Sequence, residues 1–441
     1  MVFARPALLL VAVTALAGAA PPQPSQADAS SPARAAKAFP PMLGISYDSH
    51  RGTLAWFDRL TLRTRPGRKA PLRNDFGSWA FSADRTVLAT ATCSGGPVQA
   101  PPSIRFVNAR TMRVLGDLRL SPHGGCGSSL TWLRSDRLLA VVHAPGGVEL
   151  AVVDPLARRL LARRPLPSRP SAVGRSRDKL VLLLSSFGEI TQARLAVVDT
   201  EGVLRVATVE RVLEGTIIDE EREHHTRTIR PGLAVDPDGR RAFLVPASGD
   251  VAEIDLRTLG VSYHELHRPS ALRRLLGWLA PSAHAKGPIE GPERHARWLG
   301  DGKVAVSGID WSLTSDGDEA SAMGIPAGLR LIDTRSWTTT LLSPEPIDFV
   351  VGPGLMIVRE GRELVAFGSD GRERWRLRLR GLRPPSEYGW IAVAGRLGYV
   401  HRAEGFAQVI DMATAEILGT IRRDERRNPW PQLLAAQNSD W

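Results

Sequence analysis

A short apolar run that ends in Asp or Asn and leads into a polar turn recurs along most of this 441-residue chain. Seven clear copies end at Asp58, Asn108, Asp154, Asp199, Asp255, Asp333 and Asp411, and a degenerate copy covers 364–371. Asp and Asn suit such turns because their side chains accept a hydrogen bond from the backbone two residues further on. The recurrence indicates a protein built from copies of one small unit.

A second pattern precedes most copies and consists of an apolar strand, a polar turn and another apolar strand. It is clearest at 79–92 and 233–245. Together the two patterns predict four short antiparallel strands per unit, called A to D here, at the spacing of about 40 to 50 residues that propeller blades show. A sheet of this size cannot bury both faces alone, so neighbouring units must stack. The sequence therefore predicts an all-β fold, a single β-propeller with eight blades of four antiparallel strands, seven blades being the alternative.

The two ends of the chain are predicted to meet in the first blade. The first unit has strands B, C and D but lacks strand A. The stretch 428–436 near the C-terminus has the Pro-then-apolar pattern that precedes other A strands, such as 230–234. We expect this stretch to supply the missing strand, so that the C-terminal strand closes the ring.

The unit at Leu233–Asp255 resembles the Y-V-T-N-type propeller repeat, in which a strand, an S-P-D-G turn and a second strand precede an apolar-V-I-D-x-x-T segment. Residues 333–336 and 411–414 are similar to the second half of that repeat. Related propellers include the quinoprotein amine dehydrogenase heavy chains, such as that of methylamine dehydrogenase, and surface-layer proteins. The resemblance extends over most of 42–436 and implies binding or scaffolding more often than catalysis. No catalytic motif of these families matches this chain.

The N-terminal region is typical of an export signal. Arg5 precedes an apolar run at 7–17 and a group of small residues at 18–20, which is the order found in secretory signal peptides. We interpret 1–29 as signal peptide and cleavage region, 30–41 as a disordered leader and 42–441 as the propeller. The apolar run is too short to span a bilayer. The sequence therefore predicts a secreted or extracytoplasmic protein, in the periplasm or cell envelope, without stable membrane insertion.

The charge balance does not by itself indicate a nucleic-acid partner. The formal net charge is +11, and only five of the 57 cationic residues are lysines. The arginines are dispersed and recur on apparent edge strands, for example at 372, 374, 376, 378 and 380. Alternating cations on an edge strand discourage edge-to-edge aggregation. We therefore interpret these arginines as solvated edge residues and expect no nucleic-acid partner.

Two stretches interrupt the repeat. Residues 210–228 form a polar insertion between the fourth and fifth units, and 264–293 form a longer insertion. Within the longer one, apolar residues at 272, 275, 276 and 279 predict one short amphipathic helix. We expect this helix to pack on the rim of the propeller, a contact with a partner or a membrane being the alternative.

Residues with potential chemistry can be sorted by face, because consecutive antiparallel strands turn alternately at the two faces of a propeller. The A–B and C–D turns share one face and are predicted to hold the turn-forming Asp residues. The face with the B–C and D–A loops collects the candidate ligand-binding residues: Asp48, His50, His143, Glu189, His224, His225, Asp310, His401 and Glu404. Histidine beside carboxylates can supply metal ligands or a general base. No pair has a diagnostic metal spacing, so we assign no metal, cofactor or catalytic residue.

The only two cysteines, Cys93 and Cys126, fall on this same face in neighbouring blades. Two nearby cysteines in an exported protein favour a disulfide. Two free thiols or a reactive pair are the alternatives.

The remaining motifs give no support to common enzyme classes. The chain contains no G-x-S-x-G elbow, phosphate-binding Gly-Lys loop, H-E-x-x-H or C-x-x-C motif. The sequence favours an exported noncatalytic propeller that binds a protein or glycan partner as a scaffold or recognition module. The alternative is an extracytoplasmic enzyme or redox-partner subunit with a polar or metal site at the channel mouth.

Overall fold

The computed structural model of the chain consists of β-strands arranged as the eight four-stranded antiparallel blades of a β-propeller. The described residues are 39–48, 51–72, 78–92, 101–121, 125–144, 146–219, 225–266, 289–316, 319–346, 348–352, 354–379, 391–402, 406–422 and 431–434. None of them belongs to a helix that is long and apolar enough to cross a membrane. The predicted blade number of eight is confirmed.

The strands follow the predicted order from A to D within each blade. Blade one contains β1 (Met42–Asp48), β2 (Arg51–Phe57), β3 (Ala70–Pro71) and β34 (Gln432–Leu433), and blade two contains β4 (Trp79–Phe81), β5 (Val87–Ala91), β6 (Ser103–Asn108) and β7 (Val114–Arg119). Blade three contains β8 (Cys126–Arg134), β9 (Arg137–Ala144), β10 (Gly147–Asp154) and β11 (Arg159–Leu166), and blade four contains β12 (Arg169–Arg175), β13 (Lys179–Ser185), β14 (Glu189–Asp199) and β15 (Leu204–Asp219), which is followed by β16 (His225–Ile229). Blade five contains β17 (Gly232–Val235), β18 (Arg241–Val245), β19 (Val251–Asp255) and β20 (Val261–His264). Blade six contains β21 (Ile289–Gly300), β22 (Lys303–Asp316), β24 (Leu329–Asp333) and β25 (Thr338–Ser343), with β23 (Glu319–Pro326) added to β22. Blade seven contains β26 (Val350–Gly352), β27 (Leu355–Glu360), β28 (Glu363–Gly368) and β29 (Glu373–Arg378), and blade eight contains β30 (Ile391–Ala394), β31 (Leu397–Arg402), β32 (Phe406–Asp411) and β33 (Glu416–Arg422).

The recurring Asp closes the C–D turn, as its position predicted. In blade five, Asp255 Oδ1 accepts the backbone amides of Arg257 at 2.9 Å and Thr258 at 2.7 Å. The Thr258 amide and hydroxyl lower the pKa of Asp255 because they stabilise the carboxylate. The residue four positions after the Asp, Leu259, adopts a left-handed backbone with φ of 64°, as in hairpin loops that combine a type I turn with a bulge. The degenerate copy in blade seven uses Asp370 in the same way, accepting the Arg372 amide at 3.1 Å.

The core of the protein lies between blades rather than within them. Seven clusters of buried apolar side chains join each blade to the next, from blades one and two to blades seven and eight. Phe106, for example, is 1 % exposed on β6 and shares a cluster with Trp132 of blade three. Since the apolar faces of each blade are buried by its neighbours, the stability of the fold arises from the stacking of blades that the repeat predicted.

The ring closes where the first and last described strands pair, and the closing strand is the predicted C-terminal one. Strand β34 pairs antiparallel with β1 through Gly44–Leu433 and Ile45–Gln432 and supplies strand A of blade one. Leu434 is 2 % exposed and belongs to the cluster between blades one and two. On the other side, Tyr399 of blade eight is fully buried and donates its hydroxyl to the Arg59 carbonyl oxygen of blade one at 2.9 Å.

The two insertions differ from their predicted form. Residues 213–219 and 225–229, expected to be a polar loop, form a hairpin of β15 and β16, and β16 pairs parallel with the start of β21. Blades four and six are therefore hydrogen-bonded to each other past blade five. The ends of the second insertion, His264 and 289–293, lie in strands β20 and β21. Its predicted helix at 270–279 lies outside the described residues.

Candidate functional site

One face of the propeller carries the B–C and D–A connections and is called the upper face here, while the A–B and C–D turns form the lower face. The A strands of neighbouring blades approach one another, for example β12 with β17 and β17 with β21, so they are the innermost strands. Two hairpins extend the upper face: β15–β16, which follows blade four, and β22–β23 in blade six. They enlarge the face that the sequence predicted to bind a ligand.

The sequence-predicted residues are distributed around this face. His143 lies near the upper end of β9, Glu189 begins β14 and is exposed, and Asp310 lies on β22. Asp48, His225 and His401 lie in the described strands β1, β16 and β31, whose side chains at these positions are not described. His50, His224 and Glu404 lie outside the described residues. Within the described part of the chain, no group of three His, Cys, Asp or Glu side chains has a geometry that could hold a metal ion.

A buried carboxyl group that the sequence reading missed lies at the base of the β15–β16 hairpin. Glu214 is 2 % exposed, and its Oε2 accepts the backbone amide of Ser186 at 3.0 Å. Burial raises the pKa of Glu214, while the Ser186 amide, the hydroxyls of Ser185 and Ser171 and the charge of Arg230 oppose that rise. Carboxyl groups with a raised pKa in a polar enclosure occur at functional sites more often than elsewhere.

Charged side chains continue from Glu214 along the start of strands A in blades five and six. Arg230 donates from Nη1 to Glu293 Oε2 at 3.0 Å, and the backbone of residue 230 pairs with that of 293. Arg294, which is 9 % exposed, forms an ion pair with Asp310 at 2.7 Å. Among the predicted candidates whose side chains are described, Asp310 is the one that joins this network. The partners are too far apart in sequence, 63 residues for Arg230 and Glu293, for any spacing pattern to reveal them.

A second pair of polar side chains, Ser128 and His143, lies in blade three. Ser128 occupies a β-bulge in the innermost strand β8 and is exposed, and its Oγ lies 2.8 Å from His143 Nε2. Burial, with the nearby charge of Arg169, lowers the pKa of His143, so the ring is neutral at pH 7. The neutral imidazole can donate to or accept from the Ser128 hydroxyl, which is exposed and can also form a hydrogen bond with a polar ligand.

Cys126 begins β8 and pairs with His143 in the strand register. The amide of Gly127 donates to the Thr92 carbonyl oxygen at 3.0 Å. Cys93 lies outside the described residues, so the predicted Cys93–Cys126 bridge stays a prediction. Titration of thiols in denaturant without a reductant tests it, because two reactive thiols would exclude the bridge.

The β15–β16 hairpin also presents an apolar outer surface. Directly paired residues share a face of a sheet, and residues two apart on a strand do so as well. By this register four apolar residues lie on the face opposite to Glu214, with two polar ones, Gln192 and Arg227, among them: Ile190, Leu213, Ile217 and Ile229. Leu213 is 49 % exposed and Ile217 is 36 % exposed. Leu213 and Ile217 therefore expose large aliphatic side chains to water.

Other exposed apolar side chains lie on the same upper extensions. Ten large hydrophobic side chains of the described residues are exposed, and five of them are on or beside the two hairpins: Phe187, Leu213, Ile217, Ile218 and Ile325. Phe187, in the B–C loop of blade four, is 76 % exposed, and its backbone bridges to Thr216 of β15. Clustered exposure of this kind is a stronger indication of an interaction surface than a single exposed hydrophobic residue without other features around it.

Comparison with known proteins supports the fold. No family model matches the chain, and no curated protein matches its sequence. Among solved structures, the dihydro-heme d1 dehydrogenase NirN in complex with DHE is similar with a TM-score of 0.53 and 15% identity, over 89% of this chain and 74% of that chain. Apo AztD from Citrobacter koseri is similar with a TM-score of 0.48 and 14% identity, over 89% of this chain and 96% of that chain. BamB from Moraxella catarrhalis is similar with a TM-score of 0.35 and 10% identity, over 86% and 87% of the two chains. These structural neighbours are β-propeller proteins.

Proposed function

We propose that the protein is an exported, noncatalytic propeller of the Y-V-T-N-type that binds a protein partner through its upper hairpins. The observation that carries this proposal is the group of exposed apolar side chains on the hairpins, above all Phe187 and the pair Leu213 and Ile217. A partner that covers them removes apolar surface from water, worth roughly 25 cal/mol for each Å². Aromatic residues such as Phe187 are enriched at the centre of protein interfaces.

The charged network beneath the hairpins supports the same role. Glu214 and Arg294 are buried. Glu214 connects β15 to the B–C loop of blade four through the Ser186 amide, and Arg294 connects β21 to β22 through Asp310. A rigid support reduces the entropy that is lost when a partner binds. The apolar surface favours a protein over a glycan, because glycan recognition depends on polar side chains as well as on aromatic faces.

Site-specific photo-crosslinking tests this proposal. A photoreactive phenylalanine analogue replaces Phe187 in one variant and Arg372, an exposed residue of the lower face, in the control. Each variant is expressed in its native host and irradiated. We expect a protein adduct of defined mass from position 187 that is absent from position 372 and is lost when Leu213→Ser and Ile217→Ser are added. Equal adducts at both positions, or none at 187, would contradict the proposal.

The alternative function, an extracytoplasmic enzyme or redox-partner subunit, is favoured by one observation. Glu214 is a buried carboxyl group with a raised pKa beside three serines, which is an arrangement that proton-transfer sites use. Metal analysis of the purified protein, together with the metal content of Glu214→Gln, tests this alternative. A stoichiometric metal that the variant loses would support a polar or metal site near the channel mouth.

A further inference from the structure

The turns of the lower face divide the propeller into a basic part and a near-neutral part. In blades one to three, the turns 58–69, 82–86, 109–113, 134–137 and 154–159 contain twelve Arg and Lys residues and four Asp residues. In blades four to eight, the corresponding turns contain ten Arg and Lys residues and twelve acidic residues: 175–179, 199–204, 236–241, 255–260, 300–303, 333–338, 352–355, 368–373, 394–397 and 411–416. The positive charge of this face is therefore concentrated on three adjacent blades.

Seven of these cations form a surface that we call the basic arc: Arg63, Arg68, Lys69, Arg110, Arg113, Arg158 and Arg159. All seven are exposed. Within the described residues, none of the seven lies within ion-pair distance of an acidic group, whereas Arg65 and Arg134 on the same turns pair with Asp58 and Asp136. An excess of cations over acidic groups on one surface raises the local potential and attracts anions.

An exposed leucine lies within the basic arc. Leu156, in the C–D turn of blade three, is 70 % exposed and is followed after one residue by Arg158 and Arg159. It is the most exposed aliphatic side chain among the large hydrophobic residues described. The turn is held in shape by Asp154 Oδ1, which accepts the amides of Leu156 at 3.1 Å and Ala157 at 2.9 Å. The leucine is thus presented to solvent by an ordered turn.

We infer that the basic arc docks the propeller on an anionic lipid surface, with Leu156 entering the boundary between headgroups and acyl chains. Two features favour a lipid surface over an acidic protein partner. The cations are spread along the turns of three adjacent blades on one face, which suits the distributed charge of a headgroup layer, and the exposed side chain among them is aliphatic, which suits the hydrocarbon beneath. Each Lys or Arg near such a surface contributes about 1 kcal/mol, which is about fivefold in the partition coefficient.

Vesicle sedimentation tests the inference with the intact chain. Two kinds of sucrose-loaded vesicle are mixed with the protein at low and at physiological salt. One kind is phosphatidylcholine alone, and the other contains about 30 mol% of the anionic lipid phosphatidylglycerol. The arc variant carries Arg68→Gln, Lys69→Gln, Arg110→Gln and Arg113→Gln. The matched control carries Arg240→Gln, Arg257→Gln, Arg335→Gln and Arg372→Gln, four exposed cations of the same face outside the arc.

We expect the unmodified protein to bind the anionic vesicles only, and less strongly as salt rises. Each cation removed from the arc should lower the partition coefficient by about fivefold, and the control should bind as the unmodified protein does. Leu156→Ser should lower it by about tenfold while leaving the salt dependence unchanged. All substituted positions are exposed, and unchanged melting temperatures verify the fold.

Three results would overturn the inference. The first is equal binding to neutral and anionic vesicles. The second is an equal loss in the arc variant and the control, which would indicate a net-charge effect. The third is binding of heparin or DNA through the arc without binding of vesicles, which would assign the surface to a soluble polyanion.

Discussion

The closure of the ring by strand β34 leads to a quantitative prediction for Leu434. Replacing a leucine that is 2 % exposed by alanine costs about 3 kcal/mol, since the buried side chain leaves a cavity. Unfolding of about 390 residues carries an entropy of roughly 0.8 kcal/mol/K, so this loss lowers the melting temperature by about 4 °C. Deletion of 428–441 also removes the pairing of β34 with β1 and the hydrogen bond from the Leu434 amide to the Leu43 carbonyl oxygen at 3.0 Å, and should lower the melting temperature by roughly twice as much.

Circular dichroism on heating and hydrogen exchange of β1 measure these effects. A chain that ends at Leu434 keeps the closing strand and is the control for the deletion. Leu156→Ala, at a leucine that is 70 % exposed, is the control for the substitution and should change stability by less than about 0.5 kcal/mol. We expect faster amide exchange in β1 only when β34 is lost or weakened. A melting temperature unchanged by deletion of 428–441 would refute closure by the C-terminal strand.

Three further predictions concern other parts of the ring. Tyr399→Phe removes the hydrogen bond to the Arg59 carbonyl oxygen and should cost about 1 kcal/mol of unfolding free energy in urea titrations, while a cost near zero would contradict a role in closure. Glu214 has a pKa raised by burial, so the folded protein keeps this proton to a higher pH than the unfolded chain does, and stability should fall as pH rises above the ordinary Glu range. Glu214→Gln should remove that component of the melting profile between pH 4 and 8, and the exposed Glu189→Gln should not. Gly291 has φ of 113°, and a Cβ there would lie 2.0 Å from the Thr228 carbonyl oxygen, so Gly291→Ala should expose the β15–β16 hairpin to trypsin, whereas Gly146→Ala, with open space around it, should leave proteolysis unchanged.

Much of the architecture could be predicted from the sequence because the repeat is local. The Asp of each C–D turn bonds to amides two or three residues further on, as Asp255 does with Arg257 and Thr258. The same interaction in successive units makes the pattern visible without knowledge of the fold. The closing strand followed from counting strands in the first unit.

The candidate site could not be predicted in the same way, because the residues that form it are distant from one another in sequence. The run of charges that begins at residue 219 suggested a polar loop at 210–228, yet Leu213, Gly215 and Ile217 alternate with Glu214 and Thr216, and that period of two was the available signal for a strand. Nothing local indicated that Glu214 would be buried against Ser186, which is 28 residues away. Of the nine candidate residues, Asp310 alone is described within the charged network, through Arg294.

The pairing of β1 with β34 places the first and last described strands side by side, about 4.8 Å apart. A short peptide could therefore connect them, and the chain could be opened instead at an upper loop between two other blades. In such a circular permutant, blade one would form from contiguous sequence while a different blade would be split. The order in which blades assemble would then change although every interface stayed the same, which offers a way to separate chain connectivity from packing in the folding of this ring.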